Sequence, residues 1–225
     1  MTDVVEPDPA RPHVVERNLN LLRGFGPPNC VGGGRLRLAP EDEDAAAEIL
    51  VGAGASGGDL LVGVHPVAGL AVREWGEERF AEVARRVAER YGAKVLWFSD
   101  PESRREAPAL PGLVAVSLPF RRFMAVLARC QLFICNDSGP MHVAVGLGVP
   151  VVAVFGPQRP EWFGPWGEGH QVVIRHDIWC RPCADQCIWG EPHCLRLISV
   201  EQVLEAVEKA LEAQRAPMVA AEPRL

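Results

Sequence analysis

ICNDSGPMHVAVGLGVPVVAVFGPQRP, residues 134–160, runs from an apolar strand through a polar turn and a short helix into a second apolar strand. Both strands are apolar on both faces, the pattern of a parallel sheet covered by helices on each side. The polar turn Asn136-Asp137-Ser138-Gly139 falls where the first strand gives way to the helix. Open parallel sheets bind ligands outside the carboxyl ends of their strands. That turn is therefore the first place to look for chemistry.

The same alternation extends in both directions. Strands are expected in LLVGVHP (60–66), AKVLWFS (93–99), LVAVS (113–117), QLFIC (131–135), VPVVAVFG (149–156) and HQVVIR (170–175). Helices are expected at 77–92, ending on Gly92, at 120–130, at 140–148, and at 199–214 with Ser199 as N-cap. Short strands alternating with helices indicate βαβ units. Residues 60–214 are thus expected to form one doubly wound, Rossmann-like α/β domain. Residues 1–59 are read as a tail, a helical arm at 13–26, a loop at 27–35, an acid-led helix at 41–50 and a flexible linker. Residues 215–225 are read as a loose tail.

Composition narrows the class. The chain has 225 residues, 48% hydrophobic and 23% charged, in the range of soluble globular domains. A formal charge of −6 argues against a general nucleic-acid surface. No apolar run is long enough to span a bilayer, and the acidic, proline-containing start is not a secretory signal. A cytoplasmic location without a transmembrane segment is expected.

Two polar strand ends carry candidate chemistry. Pro140 stands at a first helical position, where its missing N–H costs nothing. Backbone N–H groups of Ser138, Gly139, Met141 and His142 would then line a helix N-terminus, a ready anion site. Asp137 could hold sugar hydroxyls. The plainer alternative is that Asp137 or Ser138 only caps the helix. The second strand end is HPVAGLAVREW, residues 65–75, long for a loop between strand and helix. Its Arg73 could grip a pyrophosphate bidentately; alternatively it is a solvated arginine beside a packing Trp75. His65 reads as structural or loop-orienting rather than catalytic. Trp162, Phe163 and Trp166 either cover a pocket or pack. Gly32, Gly33 and Gly34 follow no strong strand and fail the dinucleotide fingerprint.

The segments HPVAGLAVREWGEERFAEVARRV, CNDSGPMHVAVGLGVPVVAVFGP and CLRLISVEQVLEAV, in that order, resemble the C-terminal half of family 9 glycosyltransferases, the lipopolysaccharide heptosyltransferases. The resemblance covers residues 13–213. It implies one half of a GT-B fold, transfer of a sugar from a nucleotide-sugar donor, most simply ADP-heptose, and a lipopolysaccharide core acceptor. It implies no required metal or other cofactor, and peripheral contact with the inner membrane through the acceptor. Donor contacts implied by position are Arg73 where the family has a lysine, Asp137 at the donor sugar, and Ser138, Gly139, Met141 and His142 around the pyrophosphate. Glu102 stands near a ribose-binding acid. The chain departs from the family at Val67, Gly69 and Glu74. No catalytic residue is identified. The acceptor base is expected in an N-terminal domain of which residues 1–59 are a remnant, or in a partner chain. The alternative is a non-catalytic nucleotide-sugar-binding module.

Seven cysteines complete the inventory. Cys30, Cys130 and Cys135 sit in apolar contexts and read as buried thiols. Cys180, Cys183, Cys187 and Cys194 form C-x2-C-x3-C-x6-C. Structural thiols, a structural zinc and an iron–sulfur or redox role all fit that spacing.

Overall fold

A computed structural model describes residues 6, 8–22, 35–102 and 105–215. The expected loop around Cys30, Gly32, Gly33 and Gly34, the end of the first helix beyond residue 22, and the tail beyond residue 215 lie outside the described residues.

Six parallel strands form one sheet in the order β3-β2-β1-β4-β5-β6. They are β1 (Leu61–His65), β2 (Lys94–Ser99), β3 (Leu113–Ser117), β4 (Leu132–Asn136), β5 (Val151–Val154) and β6 (Gln171–Val173). Register follows the expected alternation: Val62 pairs with Val95 on one side and with Leu132 on the other. The order reverses between β1 and β4. That is the topological switch point, where the loops leaving two adjacent strands diverge to opposite faces and open a crevice.

Period-two alternation divides the strand residues between two cores. Val62, Val64, Val95, Trp97, Leu132, Ile134, Val152 and Val154 face one side. There they meet α3 (Glu77–Tyr91) and α8 (Val200–Arg215) through Phe80, Val83, Val87, Val203, Val207 and Leu211. Leu61, Leu96, Phe98, Phe133, Cys135, Val151 and Ala153 face the other side. That side is covered by α2 (Pro40–Gly52), α4 (Phe120–Leu127) and α5 (Gly139–Leu147). Burying each large side chain stabilises by about 1.5–3 kcal/mol. Gly63 makes this second face possible: a Cβ there would lie 2.9 Å from both Phe133 and Phe98.

Local signals explain the helix ends. Gly92 closes α3 at φ 62, the left-handed conformation glycine adopts without a Cβ clash. At the start of α8, Ser199 Oγ accepts from Gln202 N–H at 3.3 Å while Gln202 Oε1 accepts from Ser199 N–H at 2.9 Å. This is a reciprocal capping box. The acid expected to suit the start of α2 does more than that. Asp42 is buried and forms an ion pair with Arg121 at 2.6 Å, tying α2 to α4. Ala46 and Leu50 of α2 lie in the second core, so this helix packs with the sheet although the sequence places it before the domain.

The first helix, α1 (Val14–Asn20), is short. Its cap His13 accepts from Val15 N–H, lies 3.1 Å from Gly164 O through Nε2, and packs its ring 4.5 Å from Trp166. Trp166 is thus a packing residue. Two one-turn helices, α6 (Pro160–Phe163) and α7 (His193–Arg196), complete the chain between β5 and α8. Among the described residues no helix is long and apolar enough to cross a membrane.

Candidate functional site

The switch point between β1 and β4 brings together Arg73, Trp75, Asn136, Asp137 and the start of α5. The loop after β1 makes a short 3-10 turn, Ala71–Arg73, and then reaches Trp75. Trp75 is 4% exposed and donates from Nε1 to Ile198 O at 3.0 Å, which anchors the far end of the loop in the core. Asn136, at the end of β4, fixes the rest. Its Oδ1 accepts from Trp75 N–H at 3.0 Å and its Nδ2 donates to Pro66 O at 2.6 Å. One fully buried amide side chain therefore holds both ends of the loop that carries Arg73.

The capping alternative for the turn is not what the structure shows. Ser138 is the N-cap of α5 in extended backbone, but it makes no side-chain cap bond; its Oγ donates back to Asn136 O at 3.3 Å. Met141 needs correction as a free donor. Its N–H donates to Ser138 O at 3.1 Å and its side chain is fully buried in the second core. This leaves Ser138 and Gly139: among the described residues, no protein group accepts from either backbone N–H. Among the described residues a Cβ on Gly139 would meet nothing within 4 Å, so there is open space beside this residue. His142 lies one turn on, at an exposed position of α5.

Asp137 lies beneath this turn. It is 2% exposed, and its backbone N–H donates to Val154 O at 3.1 Å. Its Oδ2 is buried and accepts no hydrogen bond. The cation facing that oxygen is Arg73, whose Nη1 is 3.4 Å away. Burial pushes the Asp137 carboxyl up to about 6, with Arg73 pulling it down and Asp185 pushing it further up. A buried acceptor atom with spare capacity is costly unless something donates to it.

Arg73 has a second partner that the sequence does not signal. Its Nε donates to Asp185 Oδ1 at 2.8 Å and its Nη2 to Asp185 Oδ2 at 2.6 Å, a bidentate fork. Gln158 Nε2 donates to the same Asp185 Oδ2 at 2.7 Å. The Asp185 hydrogen bond, ahead of the Asp137 charge, holds the Arg73 guanidinium above its ordinary range. Asp185 belongs to the cysteine-rich loop, which Arg181 fastens to the sheet by donating to Gly156 O, to Gln158 O at 2.7 Å and to Arg175 O at 2.8 Å. The loop thus reaches over the strand ends and touches the same arginine.

The other expectations separate. Glu102 is exposed in the turn after β2, with its backbone N–H on Asp100 Oδ1 at 2.9 Å. No contact among the described residues brings it to Arg73 or Asp137. His65 ends β1 with its Nδ1 buried and unpartnered, and burial lowers its basicity. Trp162 is 40% exposed beneath Arg159, whose guanidinium lies 5.3 Å from the ring centroid. Burial pushes the Cys130 thiol up to about 12 and raises Cys135 as well, so both are inert core thiols. Cys180, Cys183, Cys187 and Cys194 are all unbridged. Among the described residues no three His, Cys, Asp or Glu side chains converge on a metal-holding arrangement, so the zinc alternative finds no assembled ligand set.

Known proteins share this chain's pattern. A family model described as glycosyltransferase family 9 (heptosyltransferase) matches residues 2–191. Lipooligosaccharide heptosyltransferase 2 of Campylobacter jejuni is 34% identical over 84 residues, which is 37% of this chain and 27% of that protein. A solved glycosyl transferase family 9 structure from Veillonella parvula aligns at a TM-score of 0.76 and 28% identity, covering 94% of this chain and 64% of that one. The solved ADP-heptose lipopolysaccharide heptosyltransferase II of E. coli aligns at a TM-score of 0.73 and 20% identity, covering 95% and 66%. The chain spans less than two thirds of the length of each of these proteins.

Proposed function

The chain belongs to the glycosyltransferase family 9 (heptosyltransferase) family, and from that premise we propose that its crevice between β1 and β4 holds the diphosphate and sugar of a nucleotide-sugar donor. ADP-heptose is the donor we favour, with a lipopolysaccharide-type core sugar as acceptor. The observation that carries the reading is Asp137. Its Oδ2 is buried without a hydrogen-bond donor, beside Arg73 and beneath the N-terminus of α5. An anion site and a hydroxyl acceptor in one crevice match a sugar diphosphate.

Transfer forms a bond from the acceptor oxygen to the sugar's anomeric carbon as the bond from that carbon to the diphosphate oxygen breaks, and negative charge builds on the departing diphosphate. In this reading Arg73 and the N–H groups of Ser138 and Gly139 face that charge, the arrangement that lowers a barrier by preorganised electrostatics. Asp137 accepts from a donor-sugar hydroxyl and fixes the sugar's orientation. The acceptor hydroxyl loses its proton to a base that we place outside the donor crevice, in an acceptor-binding part or a partner chain. Titration calorimetry with ADP and ADP-heptose, followed by turnover with a lipopolysaccharide core acceptor, tests the reading. Saturable binding of both ligands is expected, and no heat at millimolar ADP sinks it. Binding without turnover favours a donor-binding module.

A further inference from the structure

The contact between Arg73 and Asp185 has a form that a phosphate would also adopt. A guanidinium offers its Nε and Nη2 edge to a carboxylate or to a phosphate by the same two parallel hydrogen bonds. Here Asp185 fills that edge, at 2.8 and 2.6 Å, while Asp137 faces Nη1 at 3.4 Å. With both carboxylates ionised, the cluster around the one arginine carries a net negative charge. A diphosphate entering the crevice would gain the bidentate Nε–Nη2 edge of Arg73 only by taking it over from Asp185.

The loop carrying Asp185 is suited to such an exchange. Ala184 and Asp185 both have positive φ, 47 and 68, a left-handed conformation that residues with a Cβ disfavour. Backbone preference therefore does not hold this segment in place. On the Asp185 side chain the hold comes from the Arg73 fork and the single bond from Gln158. On either side of the segment the loop is fixed independently, by Arg181 on the end of β5 and by α7, whose Leu195 is buried in the core. Between these anchors lie Ile188 and Trp189, both exposed at 66% and 57%. Cys183 N–H donates to Pro157 O at 3.2 Å and the Trp189 ring packs near Trp179 and His193, so the exposed stretch that an exchange would shift is 184–190.

We infer that Asp185 is a positioning residue of the donor site, an internal carboxylate that parks Arg73 across the crevice and is displaced from it by the donor's diphosphate. The inference rests on the donor reading above. It makes the cysteine-rich loop a part of the site whose attachment changes with ligand. Donor binding is then weaker than the crevice alone would give, because it must break the fork.

Calorimetric titration of ADP into the wild type, Asp185→Asn and Gln158→Leu, paired with hydrogen exchange of residues 183–190, tests this. Asparagine tolerates left-handed backbone and keeps the side-chain size, so the fold is retained; Gln158→Leu loosens Asp185 without touching it. Asp185→Asn is expected to bind ADP roughly five- to tenfold more tightly, as loss of a charged competitor implies. Gln158→Leu shifts affinity the same way by less. In the wild type ADP speeds exchange in 183–190, and in Asp185→Asn that segment exchanges fast already. Equal or weaker ADP binding by Asp185→Asn, or a wild-type loop that ADP leaves unchanged or slows, overturns the inference while the donor reading stands. A wild type that gives no heat with millimolar ADP overturns the donor reading and this inference together.

Discussion

The Asn136 amide accepts from Trp75 N–H at 3.0 Å across a separation of 61 residues, and with its other end donates to Pro66 O. A residue that reads as turn material is thus a buried staple between the two strand-end loops. Replacing it leaves one N–H and one carbonyl buried without partners. Asn136→Ala is expected to lose about 2–6 kcal/mol, since each of the two orphaned groups costs about 1–3 kcal/mol. Urea unfolding checks this, and a loss under about 1 kcal/mol would show that the loops hold without the staple.

Asp137 makes stability depend on pH in an unusual direction for an aspartate. Its carboxyl is pushed up to about 6 by burial, above the value of an unfolded chain. The folded state therefore holds the proton more tightly. No penalty exists at acid pH, where both states are protonated. It grows as pH rises past the ordinary aspartate range and is complete above about 6. Asp137→Asn should be more stable than the wild type at pH 7.5 by about 2–3 kcal/mol, the linkage value of two pKa units. The difference should vanish near pH 3.5. Melting curves across that range decide; an advantage that persists at acid pH would place the cause in packing.

Gly63 sets the spacing of the second core. With a Cβ at 2.9 Å from Phe133 and Phe98, Gly63→Ala forces two buried rings apart. The expected cost is about 1–3 kcal/mol, the range for overpacking a filled core. Because β1 leads into the Arg73 loop, ADP affinity should fall as well. Wild-type stability and affinity in this variant would mean the rings yield freely.

Most of the fold is legible in the sequence because the signals are local. Apolar runs flanked by turn residues mark the strands, Gly92 ends its helix, and Ser199 marks the start of the last one. The switch point between β1 and β4 is where the two polar strand ends meet, so Arg73 and Asp137 are legible too. What is not legible is carried by long-range pairs with no local pattern. Asp185 lies 112 residues from Arg73 and reads as one more polar residue between cysteines. His13 finds Gly164 across 151 residues, and Asp42 doubles as a buried ion-pair partner. Met141 departs for a local reason: the i to i−3 bond of the first turn takes its N–H. Glu102 lies exposed in the turn after β2.

Arg73 is the cation facing Asp137 in the crevice, and the donor reading depends on it. Titration of ADP into the wild type and Arg73→Ala, both folded by circular dichroism, addresses that dependence directly. The wild type should bind saturably, and Arg73→Ala should bind about tenfold or more weakly, as loss of a charge-assisted phosphate contact implies. Equal affinity in the two proteins, or no wild-type binding at millimolar ADP, would contradict a donor diphosphate between β1 and β4.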